Sequence, residues 1–104
     1  MEAAAAATAT MEESMTVFMV ERNLKGISME DLAGAQKAAI SKAEEFTGRG
    51  TPARYIRSMF TPGDGRCMCL FEAENAGDVE ALNREAQLPF DRVTEALDLA
   101  PAAS

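Results

Sequence analysis

Histidine and tryptophan are absent from this 104-residue chain, tyrosine occurs once and cysteine twice. Without imidazole, no Ser-His or Cys-His nucleophilic pair can be built, and the commonest metal ligand is missing. Any metal ion has to be held by carboxylates, thiolates or backbone groups. Positive charge is also scarce: ten Lys and Arg against 17 Asp and Glu leave a net charge of −7. That balance disfavours nucleic acid and anionic membrane as partners. No apolar run approaches the roughly 18–20 residues of a membrane span. Residues 1–14 are alanine-rich but lack the basic lead-in and strongly apolar centre of a secretory signal. They read as a disordered N-terminal tail, with Met1, Met11 and Met15 all open as natural starts. Residues 99–104 read as a short C-terminal tail. The setting expected is cytoplasmic, where cysteines stay reduced.

What is present suits one domain, expected over residues 15–98. Hydrophobic residues make up 47% of the chain, ordinary for a globular protein. Met15 to Arg22 (MTVFMVER) is β-branched and aromatic at strand length. Ser28 with Asp31 resembles a capping box. Met29, Leu32, Gln36, Ala39, Ala43 and Phe46 then recur at helical spacing, predicting a helix over 29–47 that Gly48 and Gly50 stop. Ala53 to Phe60 and Arg66 to Ala73 read as two strands of a hairpin turning at TPGDG. Asn75 and Asp78 cap a second helix through Ala86, and Arg92 to Leu97 reads as a fourth strand. The order β-α-β-β-α-β is ferredoxin-like: α+β, a four-stranded antiparallel sheet with two helices on one face.

Alternation divides each strand into two sets. Phe18, Val20, Ile56, Phe60, Cys67, Cys69 and Phe71 are expected under the helices. Val17, Met19, Met59, Met68, Leu70 and Val93 are expected on the open face, with Glu21, Tyr55, Arg57, Glu72 and Glu95. So many apolar side chains on one open face call for a cover, and the same face of a second copy supplies one. The expectation is a homodimer with facing sheets, a dimeric α/β barrel, with no nucleic-acid or membrane partner.

Three constellations carry chemistry. Cys67 and Cys69 project from one side of a strand with Cα atoms about 6.6–6.8 Å apart, too far for a disulfide whose Cβ atoms must approach to about 3.8 Å. They read as small core residues first, and as metal or redox thiols second. Glu21, Glu72 and Glu95, with Tyr55 and Arg57, form a candidate ligand-binding set on the open face. Glu21 and Glu72 are its candidate metal carboxylates, and an Arg57–Glu72 salt bridge is the structural alternative. Met15, Met19, Met59 and Met68 suit an adaptable interface or, alternatively, a soft ion such as copper(I).

The stretches FMVERNLKGISMEDL and RYIRSMFTPGDGRCMCLFEAENAGDVEALNREAQLPFDRVTEA resemble a small family of bacterial domains of unknown function. Some members of that family are nickel-responsive, nickel-binding proteins. The resemblance covers about residues 16–97 and is most specific at ERNL, RSMFTPGDGRCMCLFEA and LPFDRVTE. It implies a ferredoxin-like fold, a dimer with facing sheets, and nickel or another divalent metal as cargo. It also implies that Glu21, Arg22, Arg57, Ser58, Cys67, Cys69, Glu72 and Glu95 occupy motif positions. The function expected is therefore a small homodimeric ligand- or metal-binding protein. A cofactor-independent enzyme of the dimeric barrel type (monooxygenase or isomerase) and a protein-interaction module are the alternatives.

Overall fold

Capping and alternation turn this sequence into alternating strands and helices. The structure, a computed structural model, describes residues 15–99 and 101. The expected tail over 1–14 and most of that over 99–104 lie outside the described residues. The elements are β1 (Thr16–Asn23), α1 (Met29–Gly48), β2 (Ala53–Thr61), β3 (Arg66–Ala73), α2 (Ala76–Glu85) and β4 (Arg92–Ala96). Ser28 Oγ accepts from Asp31 N at 3.0 Å to open α1, and Asn75 Oδ1 accepts from Asp78 N at 2.9 Å to open α2. Each cap satisfies a backbone N–H that the helix itself cannot.

The strands form one antiparallel sheet in the order β2-β3-β1-β4. This is the ferredoxin-like architecture expected. Among the described residues, no helix is long and apolar enough to cross a membrane. The core lies between the sheet and the two helices. Val20, Phe71, Val79 and Leu82 are fully buried there, with Ala39, Ala43 and Phe46 from α1 packed beside them. Burying each of the large side chains contributes about 1.5–3 kcal/mol.

The turn between β2 and β3 requires a glycine. Gly65 sits at φ +73°, and a Cβ on it would lie 2.3 Å from Lys25 Cα. That contact presses the β2–β3 turn onto the segment after β1, where Leu24 N donates to Gly65 O at 2.7 Å.

Two strand faces depart from simple alternation. The β2–β3 register slips between Tyr55 and Arg57, so that Tyr55 opposes Phe71 while Arg57 opposes Leu70. Ile56, expected under the helices, is the extra residue of this β-bulge and stays outside the core. The bulge turns Tyr55, expected on the open face, to the helix side, where its ring meets Phe71 edge-on at 5.5 Å. In β4, Val93 opposes Val20 and Glu95 opposes Phe18. Both therefore belong to the helix side rather than the open face, and Val93 packs on the core. The open face consists of Val17, Met19 and Glu21, Arg66, Met68, Leu70 and Glu72, Arg54, Arg57 and Met59, and Arg92, Thr94 and Ala96.

After Ala96 the chain turns over that face. Arg57 Nη2 donates to Asp98 Oδ2 at 3.0 Å, although β2 and β4 are opposite edges of the sheet, about 14 Å apart. Leu97 and Leu99 on this crossing segment are largely exposed.

Candidate functional site

The parity of β1 that buries Phe18 and Val20 also sends Arg22 to the helix side. Cross-strand register then builds two rows there. Arg22, Cys67 and Phe60 form one, and Val20, Cys69 and Ser58 the other. Above them α1 presents Leu32, Ala35, Gln36 and Ala39. Alanine on the helix and thiols on the sheet are too small to meet, and a cavity of about 170 Å³ remains between them. Exposed Gln36 and Ser58 stand at its rim, and half-buried Leu24 and Leu88 also line it.

The polar contacts converge on the cysteines. Gln36 Nε2 donates to the Tyr55 hydroxyl at 3.0 Å. Tyr55 and Ser58 share a hydrogen bond of 2.5 Å, and Ser58 Oγ donates to Cys69 Sγ at 2.9 Å. Because the Ser58 proton is committed to sulfur, Tyr55 is the donor to Ser58, and the relay runs one way. Cys67 Sγ and Cys69 Sγ lie 3.7 Å apart, both reduced and both buried. Burial pushes the Cys67 thiol up to about 11, the adjacent Cys69 adds to the rise, and the Arg22 charge opposes it. Arg22 itself is 2% exposed.

The expected carboxylate set is dispersed. Glu21 is 8% exposed and its two oxygens are taken by Arg66 at 2.8 Å and Arg92 at 2.5 Å. Glu72 binds Arg54 at 3.1 Å. Glu21 opposes Met68 whereas Glu72 opposes Val17, which separates them by four residues along the sheet, about 13 Å. They share a face but no site, and each carboxylate already has a cation. The Arg57–Glu72 bridge does not form, because the bulge and the crossing C-terminal segment give Arg57 to Asp98. Glu95 is exposed on the edge strand, on the opposite face from Glu21. Of the five expected ligand residues, Tyr55 alone joins the cysteine cluster. Among the described residues, no three His, Cys, Asp or Glu side chains group as a metal cage.

Gln36 and the buried Arg22 lie outside the expected ligand set of Glu21, Tyr55, Arg57, Glu72 and Glu95. Their signals were present: Gln36 is the one polar residue in the α1 stripe, and Arg22 continues the parity of Phe18 and Val20.

These features define a ferredoxin-like α+β domain with a small, thiol-lined cavity between its first helix and its sheet. Residues 18–96 match the family described as nickel responsive protein SCO4226-like, and the chain belongs to that family. Its fold is similar to the crystal structure of SCO4226 from Streptomyces coelicolor A3(2), with a TM-score of 0.68 and 21% identity. The match covers 81% of this chain and 99% of that one. No curated protein matches this chain.

Proposed function

We propose that this chain is a homodimeric metal-binding protein that takes up nickel or a similar divalent transition-metal ion on Cys67 and Cys69. The observation that carries this reading is the 3.7 Å separation of the two sulfurs. Two thiolates bound at about 2.3 Å to one tetrahedral ion stand about 3.8 Å apart, so the strand already holds the pair at bonding separation. Burial raises the Cys67 thiol and the Arg22 charge opposes that rise, so metal uptake has to displace a proton and should strengthen as pH rises. The Glu21 and Glu72 carboxylates fit the role poorly, because withdrawing either from its arginine leaves unpaired charge. The pair supplies two donors, and water or a small ligand completes the shell. Nickel stands high in the divalent affinity order for such sites, and the family is described as nickel responsive.

The open face supports the dimer. Val17, Met19, Met68 and Leu70 are half-buried and Met59 is exposed. Arg54, Arg57, Arg66 and Arg92 around them are each tied to a carboxylate. A second copy can therefore cover the face without trapping a lone charge.

Nickel titrated into the metal-free protein should release heat and produce sulfur-to-metal charge-transfer absorption in the near ultraviolet. Both signals should vanish when Cys67→Ala and Cys69→Ala are combined. Binding that survives this double substitution would move the site elsewhere, and the absence of heat and absorption in the parent protein would end the metal reading. Light scattering should give twice the chain mass, and a monomer would end the dimer reading.

A further inference from the structure

Among the described residues, one arginine has no carboxylate partner. Arg49, Arg54, Arg57, Arg66, Arg84 and Arg92 all take part in ion pairs with carboxylates. Arg22, the most buried arginine, does not enter an ion pair among the described residues. Its guanidinium carries five N–H donors. Of these, Nη1 donates to Pro89 O at 3.2 Å, and that carbonyl is neutral. A buried guanidinium without a counter-charge is costly to maintain, and this one lines the cavity beneath α1.

The cavity suits an anion of a particular kind. Arg22 stands on one wall, the rim offers Ser58 and Gln36, and Leu24, Leu32, Phe60 and Leu88 supply apolar surface. Its volume of about 170 Å³ is below the roughly 300 Å³ at which drug-sized pockets begin. A guanidinium recognises a carboxylate through two parallel N–H···O bonds. The leucine and phenylalanine walls favour a ligand with an alkyl part over a fully hydrated inorganic ion.

We propose that the cavity between α1 and the sheet binds a short-chain organic carboxylate, with Arg22 as its counter-ion and the apolar wall around its alkyl chain. This does not depend on metal binding, so it is tested on the metal-free protein. Butyrate, butyramide and inorganic phosphate are titrated separately, followed by calorimetry and by the backbone amide resonances of Arg22, Ser58 and Cys67. Butyrate should bind saturably and move those resonances. Butyramide, the same shape without the charge, should bind at least about tenfold more weakly, the scale of one lost charge-assisted contact. Arg22→Gln should weaken butyrate by a similar factor while circular dichroism stays that of the folded parent. Should Arg22→Gln fail to fold, Ala35→Leu fills the cavity from α1 and should abolish butyrate binding in a folded protein. Equal binding of butyrate and butyramide, tighter binding of phosphate, undiminished affinity in Ala35→Leu, or no saturable shift with butyrate would each overturn the proposal.

Discussion

Glu21→Gln separates a structural carboxylate from a ligand carboxylate. In the folded chain Glu21 is 8% exposed and receives Arg66 at 2.8 Å and Arg92 at 2.5 Å, joining β1 to its neighbours on both sides. A hydrogen bond to a charged group contributes about 1.5–3 kcal/mol when sheltered, and an exposed ion pair about 0.2–1 kcal/mol. The two guanidinium side chains are 42% and 68% exposed, so each contact belongs nearer the lower range. Glutamine keeps one carbonyl oxygen as an acceptor but loses the charge. The expected loss is about 1–2 kcal/mol, or about 5–10 °C in Tm for a domain of this size. Urea and thermal denaturation at low salt measure it, and raising the salt should shrink the difference between variant and parent. Nickel affinity measured on the same protein should be unchanged. An unaltered Tm would show that the two arginines contribute nothing through Glu21. Lost nickel binding in a folded Glu21→Gln would refute its assignment as a purely structural carboxylate.

Gly65→Ala places a methyl group against the Lys25 backbone at positive φ and should destabilise by about 2–4 kcal/mol, read from the urea midpoint. Gln87 holds φ +60° just past α2, where glycine is favoured, so Gln87→Gly should raise stability by about 0.5–1 kcal/mol in the same assay. The Cys67 thiol is raised from 9.0 to about 11 by burial, by Cys69, and against the pull of Arg22. The folded state thus holds this proton more tightly than the unfolded state. The stability it contributes is complete below pH 9 and is lost as pH rises through about 11. Thermal melts across that range should slope downward, and Cys67→Ser should flatten them.

The order of elements was legible in the sequence because each is announced locally. Ser28 and Asn75 cap their helices, and the TPGDG turn sits between two strand-length runs. The faces were legible wherever alternation was strong, as from Phe18 to Val20 and from Cys67 to Phe71. They were not legible at Tyr55, because a β-bulge is an event between two strands and leaves no mark in either one alone. Nor were they legible in β4, where Arg92, Thr94 and Glu95 give alternation little contrast. The site suffered from a related limit. Glu21 and Glu72 do share a face, but their distance along it is set by strand register, which only pairing reveals. The thiol pair is visible in the sequence, and strand parity places it in the core. That burial is real, and the cavity beside it depends on Ala35 and Ala39 of α1 lying over those same rows.

The β2 bulge has an effect beyond the direction of Tyr55. β2 is an edge strand, with backbone groups that another chain can extend into a growing sheet. The irregular register at Ile56 bends that edge, and Arg54 and Arg57 line it with charge. A passing strand finds no flat, neutral row to add to. Uncontrolled aggregation by strand addition along this edge is thereby discouraged.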